Sequence, residues 1–597
     1  PTRGTGMSTH APLPPAPTAA IRAHLDGLYG PDRGGAVFNR FSRALTRFRD
    51  QHPHLQATHP RNRFSHTDAI LITYGDQVQA PPHPPLHVLA QTLTRHLKGV
   101  VSGVHLLPFY PYSSDDGFSV IDYTAVNPAL GSWGDLQSLR ANFRLMFDAV
   151  INHISTRSRW FQEFLRGNPR YADYFIVESP ATDLSAVTRP RTHPLLTPVQ
   201  TAGGPRHVWT TFSPDQVDLN YKNPAVLLDV INILLFYVSQ GAEFIRLDAV
   251  GYLWKEVGTS CIHLPQTHRV IQLLRAVLDA VAPGVSLVTE TNVPHAENIA
   301  YFGDGSNEAQ LVYNFSLPPL ILHTLHTGDA RALQNWAATL TTPGSRATYF
   351  NFIASHDGIG IMPAHGILTP AQIQTLVDKT LAHGGLVSHK TNPDGSRSVY
   401  ELNITLFDAL SNPRRPEPQP LRVGRFMVSQ AVMLALAGVP GIYIHSLVGS
   451  ANNRAGVART GLARTINRQK WQQAELEAAL ANPASTAGRV FRRYRRLLRA
   501  RMARAPFHPN GGQEVIAASP AVFALRRTSP AGNEQVLCLH NMSARPQTFP
   551  GPASFLPPAA RLTDLLSGRT LRGTRPLRLA PYQVRWLAPS PALRPDS

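Results

Sequence analysis

Three short stretches end in carboxylates: 244–250 (FIRLDAV), 288–292 (VTETN) and 354–358 (ASHDG). Each sets Asp248, Glu290 or Asp357 at or just past a short apolar run rich in β-branched residues. A parallel barrel presents its reactive groups at such strand ends. Two carboxyl groups facing one sugar are the minimum equipment for splitting a glycosidic bond, and a third can hold the ring. Arg246 precedes Asp248 by two residues, so both side chains leave the strand on one face. An Arg beside an Asp favours the ionised carboxylate, which suits a nucleophile. Glu290, in a drier setting, is expected to keep a proton for a leaving group. A strand-end Glu or an Arg-x-Asp could equally be a structural ion pair. Three such ends, joined by 148–153 (DAVINH) at a fourth, make coincidence a poor account.

The elements that must position these groups can be read as apolar runs at 69–74, 100–109, 145–151, 244–250, 285–289, 311–315, 349–354 and 441–445. Helical periodicity fills several of the gaps, as at 224–239 and 268–281. Eight mostly apolar strands alternating with helices predict an α/β fold, a closed (β/α)8 TIM barrel whose strands are covered on both faces. It should occupy 66–505, after an N-terminal tail and helical lead-in over 1–65. The lead-in is a helical pattern at about 18–52, and the Ala/Pro-rich 11–20 reads as flexible tail. Residues 1–6, ahead of Met7, are read as a remnant or upstream extension and carry no weight. Insertions at about 155–243 and 358–437 are too long for plain connections and are expected to be lids. The second holds a turn-rich loop, 390–397 (KTNPDGSR). From 506 to 597, short strands at 515–517, 522–526, 536–539 and 584–587 predict a small C-terminal all-β domain.

Bulk properties bound the function. Hydrophobic content of 43% suits a buried core, and no apolar run approaches the roughly 18 residues of a membrane helix. With two distant cysteines, Cys261 and Cys538, there is no disulfide framework or zinc spacing, and a cytoplasmic enzyme without metal is expected. The net charge of +19 is mostly arginine, and 489–504 (RVFRRYRRLLRARMAR) is the best argument for nucleic acid. Phe491, Tyr494, Leu497 and Leu498 recur there at helical spacing, so an amphipathic helix with a solvated basic face is the simpler reading. No nucleic-acid or membrane partner is expected.

Together the four strand-end motifs resemble the α-amylase superfamily, glycoside hydrolase family 13, over roughly 69–500. The resemblance implies Asp248 as nucleophile, Glu290 as general acid/base and Asp357 as transition-state stabiliser. His153, Arg246 and His356 would hold the glucosyl unit. Stretches 106–123 (LLPFYPYSSDDGFSVIDY), 246–261 (RLDAVGYLWKEVGTSC) and 356–360 (HDGIG) look like its sucrose phosphorylase branch. That likeness implies Asp115 and Arg464 closing the pocket behind one glucose, with Phe118 beside them. It also implies Arg191, in 189–191 (RPR), as the phosphate-binding residue, and Tyr252 on the acceptor side. Asn292 stands where sucrose phosphorylase itself carries a His. With the lid segment bearing His389 and Lys390, it looks more like the members acting on acidic acceptors, glucosylglycerate phosphorylase and sucrose 6-phosphate phosphorylase. The resemblance implies a retaining transfer of glucosyl to phosphate through a covalent intermediate, with no cofactor, in a monomer or homodimer. A hydrolase or transglucosidase on the same fold, or a non-catalytic carbohydrate-binding barrel, are the other readings.

Overall fold

The structure, a computed structural model, describes residues 13–57, 63–392, 394–557 and 561–590. Eight parallel strands close into a barrel: β1 (Ile70–Thr73), β2 (Gly103–Leu106), β3 (Arg144–Ala149), β4 (Ala242–Leu247), β5 (Ser286–Thr289), β6 (Leu311–Tyr313), β7 (Thr348–Asn351) and β8 (Val439–Tyr443). Each falls within or overlaps one of the apolar runs expected from sequence. Closure comes from β1 pairing with β8 as well as β2, in registers such as Ile72 opposite Tyr443 and His105. Almost every strand residue is buried, because helices cover the outside and side chains fill the interior. Gly441 in β8 illustrates the fit: a Cβ there would lie 2.4 Å from the Phe350 ring of β7.

The ends of the chain depart from expectation in one place. Pro15–Ala20, expected to be flexible tail, is the start of a helix, Pro15–Tyr29, opened by proline at its first turn. Ile21 and Leu25 on one face are fully buried, and the helix packs on Pro265–Val281 outside the barrel. A sequence window dominated by Ala and Pro carries no periodic signal at this point, while the following turns do. Residues 11 and 12 of that expected tail lie outside the described residues.

Between β3 and β4, the hairpin Leu196–Thr201/Gly204–Trp209 encloses its own small core of Val187, Leu195, Trp209 and Cys261. Between β7 and β8, a helix Pro370–Ala382 leads into a second hairpin, Leu386–Thr391/Arg397–Asn403. The expected turn-rich loop over 390–397 is therefore confined to the hairpin tip: Lys390, Thr391 and Arg397 belong to strands. A backbone bridge from Arg189 to Thr391 joins the two excursions. After the barrel, a six-stranded sheet includes Gly512–Ser519, Val522–Thr528, Gln535–Asn541 and Val584–Pro589.

The arginine-rich stretch is the helix Thr486–Met502, with Phe491, Tyr494, Leu497 and Leu498 turned inward. Its Arg501 is wholly buried and donates to the carbonyls of His66, Asp68, Leu434, Gly438 and Phe507. A buried guanidinium must find acceptors for its rigid fork of N–H groups, so this one clamps the helix to the start of β1 and to β8. Part of the positive charge is thus structural. Among the described residues, no helix is long and apolar enough to cross a membrane.

Candidate active site

A line of buried charge crosses four neighbouring barrel strands. His105 on β2 donates from Nε2 to Asp148 on β3 at 2.7 Å, and Arg246 on β4 donates to Asp148 from the other side. The same Arg246 Nη1 reaches Asp248 at 2.8 Å, one residue beyond the end of β4. Its Nη2 lies 3.9 Å from Glu290, one residue beyond β5. Side-by-side register (Asp148 opposite Arg246, Arg246 opposite Val288) puts these groups on one rim. Unpaired, any of these charges would be prohibitive at such burial; as a chain they hold one another in place.

Local backbone supplies the rest of the geometry. Ala249 adopts φ +48°, a conformation costly for a residue with a Cβ, and its N–H donates to Glu290 at 3.0 Å. Asp115 and Asp116 also have positive φ, next to Gly117, where a Cβ would sit 2.6 Å from the Pro108 carbonyl. Strain gathered in two turns at one rim is what a site held in a fixed shape requires.

Electrostatics separates the three carboxyls. Burial pushes Asp248 well above the usual aspartate range, with Arg246 opposing and Glu290 adding to the shift. This corrects the expectation that Arg246 alone would depress it: loss of water outweighs the one cation. Glu290 is also raised by burial, again against Arg246. Glu290 is among the groups that raise Asp248, so the two titrate as a pair. Arg246 lies closer to Asp248 than to Glu290, and the Ala249 N–H donates to Glu290, so each carboxyl has one contact that favours its ionised form. Asp357 goes the other way. Burial would raise it, but Arg464 at 2.6 Å, with His356 and Arg468, holds it far below the aspartate range.

All three carboxyls line one cavity, together with Asp115, Phe118, His153, Arg191, Tyr252, Asn292, His356 and Arg464. Arg246 lies just beneath, bonded to Asp248. His356 stacks on Phe118 with ring centres 4.9 Å apart and planes 2° from parallel. His153 donates from Nε2 to the Phe118 carbonyl at 2.9 Å. Arg464 is gripped by Asp357 and, through two bonds of 3.0 and 3.1 Å, by Glu401. Asp115 is held loosely, 4.0 Å from Arg468, which pairs more closely with Asp116 at 2.6 Å. Arg191 is different. Its guanidinium rests over Tyr400 at 5.4 Å and Phe212 at 5.6 Å, and Nη1 donates to the Pro190 carbonyl at 3.1 Å. It has no carboxylate partner among the described residues. Buried Asn292 Oδ1 also lacks a partner.

His389 and Lys390 do not line the cavity; they lie on the first strand of the second hairpin, while Tyr400 and Glu401 of the second strand do. Glu401, Tyr400, Phe212, Gln216 and Arg468 escaped the sequence reading. The only available signal was their position inside the two long insertions. His105 escaped too, although a lone His inside the apolar run GVHL invites a question about its partner.

The α-amylase catalytic-domain family matches residues 95–362. Glucosylglycerate phosphorylase of Allomeiothermus silvanus is 50% identical over 576 residues, covering 96% of this chain and 99% of its own. Sucrose phosphorylase of Agrobacterium vitis is 32% identical, covering 69% of this chain and 84% of its own. Among solved structures, sucrose 6F-phosphate phosphorylase from Thermoanaerobacter thermosaccharolyticum superposes with a TM-score of 0.69 at 25% identity, covering 80% of this chain and 94% of that one.

Proposed function

This chain belongs to the alpha-amylase family, and we propose that within it the chain is a retaining α-glucoside phosphorylase acting on glucosylglycerate. The observation that carries the reading is the unequal pairing of two arginines in the cavity wall. Arg464 is locked between Asp357 and Glu401, whereas Arg191 has no carboxylate partner among the described residues. The locked arginine suits a wall fitted to one glucosyl unit, and the uncompensated cation suits an anion beside the reacting carbon.

In the proposed reaction, Asp248 attacks the anomeric carbon while Glu290 gives its proton to the departing glycerate oxygen. A β-glucosyl ester of Asp248 forms. Hydrogen phosphate, held by Arg191, then attacks the same carbon and gives up its proton to Glu290, and Asp248 leaves as a carboxylate. Two inversions give α-glucose 1-phosphate, and the sequence balances without metal or organic cofactor. Retention by this route asks for carboxyl groups about 5–5.5 Å apart. Asp357 gains its value as the ring flattens toward the oxocarbenium ion, binding the transition state more tightly than the ground state. The same proposal makes Asn292 and Tyr252 acceptor-side residues and leaves His389 and Lys390 to reach it only if the hairpin shifts. It sets the barrel at 66–505, a C-terminal β domain at 506–597, and a cytoplasmic monomer or homodimer.

Incubation of the purified chain with glucosylglycerate, sucrose and sucrose 6-phosphate, with and without phosphate, tests the reading. Phosphate-dependent α-glucose 1-phosphate from glucosylglycerate, faster than from the other two donors, is the expected result. Free glucose at equal rates with and without phosphate would make the chain a hydrolase instead. Preference for sucrose 6-phosphate would move the acceptor assignment and leave the phosphorylase chemistry standing.

A further inference from the structure

Away from the catalytic cavity, a cleft of about 360 Å³ opens between the barrel helix Leu317–Thr327, the end of the lid helix Pro370–Ala382, the segment 412–417 and Tyr582 of the C-terminal sheet. Its charged lining is one-sided. Glu417 is its sole carboxylate, and both oxygens are taken by Arg425. Arg425 is further tied to the Leu410 carbonyl, Ser411 Oγ and Tyr582 Oη. That leaves Lys379 and Arg415 facing the cleft with no ion-pair partner among the described residues. Two imidazoles complete the wall. His383 donates from Nδ1 to the Asp408 carbonyl at 2.7 Å, which leaves Nε2 available, and His326 lies edge-on to it with ring centres 5.7 Å apart. Tyr582, which spans from the C-terminal sheet to grip Arg425, has φ +53°.

We infer that this cleft is a second anion site, shaped for a phosphate or phosphomonoester dianion. Two uncompensated cations match two negative charges, and the imidazole nitrogens add hydrogen bonds once protonated. Burial and then Lys379, His383 and Arg425 hold His326 down to about 3, and a bound dianion should release it upward. The site is separate from the proposed catalytic chemistry and stands whether or not the chain phosphorolyses glucosylglycerate. Inorganic phosphate and glucose 1-phosphate share the required chemistry.

Calorimetric titration of the full-length chain with each of these two anions tests the inference. The unaltered chain should bind two inorganic phosphates. K379Q/R415Q, changed at side chains outside the catalytic cavity, should bind one, with the second weakened at least tenfold and activity within twofold of the unaltered chain. Arg191→Ala should keep the cleft phosphate. Glucose 1-phosphate binding that survives Arg191→Ala and is lost on adding K379Q/R415Q assigns phosphomonoesters; inorganic phosphate alone doing so assigns free phosphate. Histidine NMR gives an independent reading: phosphate should raise the His326 titration in the unaltered chain and leave it unmoved in K379Q/R415Q. Wild-type stoichiometry in K379Q/R415Q, or no phosphate bound by Arg191→Ala, would overturn the site.

Discussion

Two groups of cations at the candidate cavity follow opposite electrostatic plans. On the proposed glucose side every cation has its carboxylate: Arg464 with Asp357 and Glu401, Arg468 with Asp116, Arg246 with Asp148 and Asp248. On the proposed phosphate side Arg191 lies on two aromatic faces and has no carboxylate partner among the described residues. A cation stacked on rings keeps most of its attraction for an incoming anion, whereas one locked in a bidentate pair has little left to offer. The contrast teaches that the proposed glucose side is a mould held stiff by paired charges, and that Arg191 holds its charge in reserve. Asp248 and Glu290, the proposed reactive pair, line the same cavity.

The largest effects should come from this pair. Asp248→Ala removes the proposed nucleophile and should lower α-glucose 1-phosphate formation by at least about 10⁴-fold, the scale seen when a covalent catalyst is deleted. Glu290→Gln should cost about 10²–10⁴-fold with donors whose leaving group needs a proton. Initial rates measure both, and activity within tenfold of the parent in either variant would break the assignment. Next comes the proposed phosphate side. Arg191→Ala should raise the KM for phosphate about 10- to 100-fold, the value of one charged hydrogen-bond partner, and leave the donor KM within threefold. Equal rises for phosphate and donor would erase the distinction between the two sides.

The closed barrel and the gathering of these carboxyls at one rim were legible in the sequence for a physical reason. Strands buried on both faces are mostly apolar, so Asp148 and Arg246 near two strand ends, and Asp248 and Glu290 just beyond two, stand out in the sequence. The walls were harder. Glu401 and Tyr400 come from a hairpin whose partner strand carries His389 and Lys390, the residues chosen from sequence. Which strand turns toward the cavity depends on register, and the pairing slips between Ser388 and His389. A slip of one residue exchanges the faces of a strand, and no pattern within the segment announces it. Arg468 was hidden differently: it lies four residues after Arg464, and only the fold shows that one clamps Asp357 and the other Asp116.

pH gives a finer comparison within the dyad. Because burial raises both Asp248 and Glu290, the pair should titrate as a unit: activity should fall on the acidic side as the pair takes up its second proton and on the alkaline side as it loses its last. Glu290→Gln cannot lose a proton, so its residual rate should lack the alkaline fall. A profile for that variant superimposable on the parent would assign the alkaline limb to another group.

The smallest effect probes the mould itself. Arg464→Gln leaves Asp357 and Glu401 without their shared cation on the proposed glucose side. Breaking a fully buried pair costs about 3–5 kcal/mol, and because the Arg464 side chain is one-fifth exposed about 2 kcal/mol is expected here, a drop of about 1–2 °C in Tm for a chain of this length. The sign of its pH dependence follows from Asp357, whose folded carboxyl is held below its unfolded value, about 3.9. Such a group contributes stability that is fully present above that unfolded value and lost as pH falls through the folded one. The parent therefore has more to lose on acidification than Arg464→Gln, and the gap in Tm between them should narrow from pH 6 to pH 3. A gap that stays constant would mean that Arg464 holds the proposed glucose side by packing alone, and the contrast with Arg191 would then be one of shape rather than of charge.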